Sequence, residues 1–147
     1  MDKIAIYTDG ACSGNPGAGG WACVLMYKGN KKELSGFEAE TTNNRMELLA
    51  VIRGLEALKR PIKDAVEVFS DSAYVVNANV NGWLCGWRAN GWRTADKKDV
   101  KNRDLWEKLD ELNAIIKPKY IKVKGHSDNE FNNRCDELAV AAIKKNK

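Results

Sequence analysis

Five apolar residues, Leu48, Val51, Ile52, Leu55 and Leu58, recur at helical spacing between two short β-favouring runs, Lys3–Tyr7 and VEVFS at Val66–Ser70. A strand, an amphipathic helix and a second strand form a crossover, and such connections within one sheet are right-handed almost without exception. If the two strands are parallel neighbours, Asp9 and Asp71 lie side by side at their carboxyl ends, where open α/β sheets bind ligands. The spacing predicts a helix over about 43–59, ended by Pro61, and the front of that helix brings Glu47 toward the same spot.

The other elements can be arranged around this crossover. Gly20–Tyr27 and, after the Gly29-Asn30 turn, Lys31–Glu40 continue Lys3–Tyr7 as an antiparallel meander. Ser72–Val80 reads as a short helix closed by Asn81-Gly82. Leu105, Leu109, Leu112 and Ile116 mark another, capped by Asn102 and stopped before Pro118. Tyr120–Val123 is a short strand, and Cys135, Leu138, Ala139, Ala142 and Ile143 stripe a last helix with a lysine-rich end. The order βββαβααβα predicts an α/β fold, a single domain over 1–147 with a five-stranded mixed sheet, three antiparallel strands plus parallel ones, flanked by helices.

A chain of 147 residues can bury a sufficient core without disulfides or metals. It has no apolar run near the roughly 20 residues of a membrane helix, and its start, MDKIAIYTDG, does not resemble a signal peptide, so a cytoplasmic protein is expected. Cys12, Cys23, Cys85 and Cys135 form no CxxC pair, and the single histidine cannot complete a zinc set with them, so they read as reduced thiols.

Four acids stand out: Asp9 ends the first strand, Glu47 lies early in the long helix, Asp71 follows VEVFS, and Asp136 starts the last helix. Each also has an ordinary structural role available. Asp9-Gly10 is a turn dipeptide, Glu47 can complete a capping arrangement with Asn44, Asp71 can cap the helix it precedes, and Asp136 suits its helix dipole. Together, however, three or four carboxylates converging without Arg or Lys repel one another unless cations compensate. Hard oxygen ligands select magnesium or manganese over zinc.

Basic residues interleave with aromatics over 83–103, WLCGWRANGWRTADKKDVKNR, where six basic residues face two acids and three of the five tryptophans occur. Phosphate contacts and ring packing suit such a stretch to nucleic acid. Trp83 and Trp87, four apart, can equally share a helix face and form a small satellite core under a solvated loop.

The stretches TDGACSGNPGAGG, TTNNRMEL, SDSAYV and KGHSDNEFNNRCDELA resemble, in order and over nearly the whole chain, the type 1 ribonuclease H family, particularly its bacterial members. The resemblance implies a ribonuclease H-like fold and an endonuclease that cuts the RNA strand of RNA–DNA hybrids with little sequence preference. Cleavage would leave 5′-phosphate and 3′-hydroxyl ends, with two Mg2+ ions, or Mn2+ in their place, held by Asp9, Glu47, Asp71 and Asp136. It implies that His126 assists proton transfer or product release, and that the glycines after Asp9 let substrate backbone approach.

The same resemblance implies a grip on the hybrid. Asn15 and Thr42 would bind a DNA phosphate, Asn43 and Asn44 would reach base edges, and the backbone around Cys12 would meet RNA 2′-hydroxyls. A basic protrusion at about 81–103, with Trp83, Trp87, Trp92, Arg88, Lys97, Lys98 and Lys101, would hold the DNA strand of a substrate bound by a monomer. Ala73 stands where a glutamine is expected, LEALKRPIKDAVEVFS is slightly long, and SDNEF departs from the usual histidine loop. A non-catalytic nucleic-acid-binding module is the rival of another class, and a metal-free glycosidase using a carboxylate pair is a weaker one.

Overall fold

Backbone pairing joins three consecutive strands, β1 (Lys3–Ser13), β2 (Gly17–Tyr27) and β3 (Asn30–Thr41), into the expected antiparallel meander. The computed structural model describes residues 3–14, 16–58, 65–94, 97–123 and 130–146. Helix α1 (Asn43–Glu56) carries the chain back to β4 (Ala65–Ser70), which lies parallel beside β1, and β5 (Lys119–Lys122) lies parallel beside β4. The sheet order is therefore β3-β2-β1-β4-β5, the mixed five-stranded arrangement that the periodicities predict.

Several elements differ from their sequence-based outlines. Strand β1 does not stop at Asp9: β2 continues to pair with it from Asp9↔Ala22 to Ser13↔Ala18, so its backbone groups stay satisfied through the glycine-rich stretch. Pairing with β4 ends earlier, at Tyr7↔Phe69, so the two parallel strands part just before Asp9. The buried Thr8 hydroxyl bridges the parting by donating to the Phe69 carbonyl at 3.0 Å. Helix α1 ends at Glu56, short of the expected Lys59, which with Pro61 lies outside the described residues.

Helices α2 (Ala73–Val80) and α4 (Arg103–Ile116) follow prediction, while α3 (Trp83–Ala89) is an addition. Asn102 precedes α4 in a left-handed conformation, φ 60°, but its side chain makes no capping bond. The last helix, α5 (Glu130–Asn146), begins well before Asp136, which sits inside it and does not start it. No described helix is long and apolar enough to cross a membrane.

Helices cover both faces of the sheet. Leu48, Val51, Ile52 and Leu55 of α1 pack with Ile4, Ile6, Val68, Val75, Trp106 and Leu109 on one face. Each of these α1 side chains, buried, stabilises the fold by about 1.5–3 kcal/mol. Cys135 and Ala139 of α5 pack on Ala22 and Val24 on the other face. Trp106 is fully buried, and its indole N–H donates to the Tyr74 hydroxyl at 2.9 Å, so no polar atom is stranded by that burial.

Two glycines let the helices seat directly on backbone. A Cβ at Gly10 would stand 2.5 Å from the Glu47 nitrogen of α1, and one at Gly20 would stand 2.2 Å from the Ala139 carbonyl oxygen of α5. The space that the Gly10 side chain leaves is thus taken by α1, where the resemblance implies an approach by substrate.

Candidate active site

The middle of β1, where it parts from β4, the carboxyl end of β4, the front of α1 and one side of α5 border a cavity of about 400 Å³ lined by Asp9, Glu47, Asp71 and Asp136. Carboxylate oxygens of Asp9, Glu47 and Asp71 all lie within 4.8 Å of one another. Asp136 faces the same cavity from α5 but stands outside that tightest set. No Lys, Arg or His lines the cavity among the described residues.

The ordinary structural roles of the acids fall to other residues. Thr42 is the N-cap of α1, its hydroxyl accepting from the Arg45 N–H at 3.2 Å, so Glu47 has no capping role. Ser72 caps α2 by accepting from the Val75 N–H at 3.2 Å, which leaves Asp71 free of that role as well. Asp9 lies within a continuous strand and accepts from the Gly10 N–H at 2.9 Å.

Burial raises the Asp9 carboxyl above the usual range; a hydrogen bond from Glu47 works against this, and the charge of Asp71 adds to it. Glu47 is also raised, first by burial and then by the charges of Asp9 and Asp71. The Asp9–Glu47 hydrogen bond favours charge on Asp9 and a proton on Glu47. Glu47 Oε2 is buried without a hydrogen-bond partner, a costly state for a carboxyl oxygen. Hard oxygen donors at this spacing, one of them orphaned and no cationic side chain lining the cavity, fit divalent metal ions.

Asn43 and Asn44 are exposed at the front of α1 and line the cavity. Thr42, the adjacent cap, does not line it. Cys12 lies farther along β1, its thiol directed at the carbonyls of Thr41, at 3.4 Å, and Gly17, at 3.5 Å. Ala73, at the glutamine departure, also lines the cavity. Asn15 and His126 lie outside the described residues.

Sequence reasoning overlooked Tyr74, Asn132 and Asn133, which also line the cavity. Helical spacing offers the signal: Asn132 and Asn133 precede Asp136 by one turn of α5, and Tyr74 lies one turn into α2 from Asp71.

The basic segment divides into packed and solvated parts. Trp87 and Trp92 pack against the main core, with Trp87 5.3 Å from the Trp106 ring, whereas Trp83 is 41% exposed. The tryptophans are therefore no separate satellite core. Arg88 does not offer a free guanidinium, because it binds both oxygens of Asp110, at 2.9 and 2.6 Å. Lys97, Lys98 and Lys101 are exposed.

A sequence profile described as RNase H matches residues 1–144. The chain is 61% identical over 146 residues to a protein named ribonuclease H from Thermoanaerobacter sp. (strain X514), covering 99% of this chain and 93% of that one. Its fold is similar to that of LC9-RNase H1, a type 1 RNase H, at a TM-score of 0.86 and 26% identity, covering 100% of this chain and 74% of that one. It is also similar to LC11-RNase H1, solved in complex with RNA/DNA hybrid, at a TM-score of 0.74 and 29% identity over 97% of this chain and 98% of that one.

Proposed function

The chain belongs to the ribonuclease H family of metal-dependent hydrolases, and on that premise we propose that it cuts the RNA strand of RNA–DNA hybrids at the cavity formed by Asp9, Glu47, Asp71 and Asp136. The observation that carries the assignment is the convergence of Asp9, Glu47 and Asp71 within 4.8 Å around a buried Glu47 oxygen that lacks a partner. These residues, with Asp136, would hold two Mg2+ ions, or Mn2+ in their place. When bound, such ions supply an activated water and stabilise the departing 3′ oxygen, leaving 5′-phosphate and 3′-hydroxyl ends.

The protein's own residues would contribute as follows. Asp9 and Glu47 sit on a rigid strand and helix, so their oxygens are oriented before substrate arrives. Exposed Asn43 and Asn44 flank the acids and would meet the shallow minor groove of a hybrid, while Thr42 and Asn15 would bind a DNA phosphate. His126 would assist proton transfer or product release, as histidine titrates near neutral pH. The backbone near Cys12 would meet 2′-hydroxyls. Lys97, Lys98 and Lys101, with exposed Trp83, would hold the DNA strand, and Trp87 and Trp92 would brace that surface from beneath.

A small single-domain fold is consistent with a monomer, and the substrate class with a cytoplasmic site of action. A non-catalytic binding module is disfavoured because clustered carboxylates without metal repel phosphates. The deciding experiment compares a labelled RNA–DNA hybrid with RNA and DNA duplexes, with Mg2+ and with EDTA. Release of short RNA from the hybrid alone, abolished by EDTA, is the expected result; hybrid binding without cleavage under every metal condition would overturn the proposal.

A further inference from the structure

Arg45 lies two residues before Glu47, yet its guanidinium points away from the acids and joins the walls around them. Its Nη1 and Nη2 donate to the two oxygens of Asp104 at 3.0 and 2.7 Å, and its Nε lies 3.7 Å from Glu38. Nη1 also reaches Asn102 Oδ1 at 3.4 Å, while Asn102 Nδ2 donates to the Tyr74 hydroxyl at 3.3 Å. Tyr74 lines the cavity on α2, and the buried Trp106 N–H binds the same hydroxyl. One chain of side chains thus runs from the first turn of α1, through Asn102 near the end of the basic segment, to Tyr74 at the cavity.

We propose that Arg45 is a positioning residue for the hybrid: it fixes the distance between the α1 wall that presents Asn43 and Asn44 and the α2 wall that presents Tyr74, without touching substrate. Two carboxylates face its single charge, so the cluster carries no net positive charge with which to attract phosphate. Only a planar fork can hold both Asp104 oxygens and Asn102 at once, so lysine is a poor replacement. As a stability element alone, a pair whose Asp104 side chain is 64% exposed is worth little.

This inference rests on the hybrid-cleaving reading, and the test separates the two. Steady-state cleavage of a short hybrid is measured for wild type, R45M, R45K, D104N and Y74F. R53M serves as a control, removing the Arg53–Glu56 pair in the last turn of the same helix. R45M should raise KM about fivefold with kcat within about twofold, R45K should recover part of the loss, and D104N and Y74F should move KM in the same direction. R53M should leave KM unchanged.

The salt dependence of R45M affinity should keep the wild-type slope. A slope reduced by about 0.7–0.9 would make Arg45 a direct phosphate ligand and overturn the proposal. Unchanged KM with lowered thermal stability would reduce Arg45 to a structural role, and a fall confined to kcat would place its effect on Glu47; either overturns it. Should R45M fail to fold, D104N and Y74F decide by the same split. An inactive wild type defeats the functional reading itself, whereas an active wild type with unmoved KM in the variants defeats this inference alone.

Discussion

The carboxylate cavity and the basic segment over 83–103 are both clusters of like charge, yet they lie in opposite physical regimes. In the cavity Asp9 and Glu47 are withdrawn from water on rigid elements, and no cation stands among them within the described residues. In the basic segment the charges remain in solvent, and two are already neutralised, Arg88 by Asp110 and Arg103 by Asp99 and Glu107. Its backbone is also less regular: Gly91, Trp92, Lys97 and Asn102 all have positive φ. Desolvated like charges are expensive and make sense only with a counterion of their own, whereas solvated ones cost little and act through a screened field.

The widest separation of the two regions comes from Asp71→Asn. If Asp71 is a metal ligand, its loss should reduce cleavage by more than about a thousandfold, roughly 4 kcal/mol of barrier, with hybrid affinity little changed. Single-turnover cleavage and a binding titration measure the two halves; retention of more than about a tenth of the activity would remove Asp71 from the metal site. Next comes the joint replacement of Lys97, Lys98 and Lys101 by alanine. Turnover at saturating hybrid should survive, while the slope of log affinity against log salt falls by about 0.7–0.9 for each lysine that pairs with a phosphate in the wild type. A salt series on the triple variant with an unchanged slope would show that the exposed lysines do not hold the hybrid.

A smaller effect sharpens the contrast in stability. The raised carboxyls of Asp9 and Glu47 mean that the folded, metal-free chain binds more protons than the unfolded one, so these groups lower stability as pH rises from their unfolded values toward their raised ones. Glu47→Gln should therefore raise the metal-free melting temperature at pH 8 by about 3 °C or more, with the gain vanishing near pH 4. Thermal melts in EDTA across that range check it; a gain that persists at pH 4 would point to packing. Arg88→Ala should have the least effect on hybrid binding, leaving the salt slope close to wild type because Asp110 already holds the guanidinium. A slope lower by about one would show that Arg88 exchanges Asp110 for phosphate.

How much of this was legible in the sequence depends on how far apart the interacting residues lie. Period-2 and period-3.6 patterns outlined a β1–β4 crossover, and, given parallel pairing of those strands, that brought Asp9, Glu47 and Asp71 together. Helix α3 escaped because seven residues, WLCGWRA, with a glycine among them, span too few turns to establish a period. The end of β1 reads as Asp9 because the glycines beyond it have no strand propensity, while their pairing with β2 is a tertiary fact. Arg88 looks available in the sequence because Asp110 lies 22 residues away, and the Arg45–Asp104 pair, 59 residues apart, leaves no local trace.

Seating helices on bare backbone has a further consequence. Where α1 meets Gly10 and α5 meets Gly20, the spacing between helix and strand is fixed by the thickness of two peptide chains, without side chains wedged between them. Exchanges of leucine for isoleucine or methionine elsewhere in the core can alter how its interior fills without lifting Glu47 or Asp136 from their seats. The spacing of the cavity carboxylates is thus insulated from much of the ordinary drift of a hydrophobic core. Fragility lies instead at positions such as Gly10 and Gly20, where even one added methyl group acts as a shim.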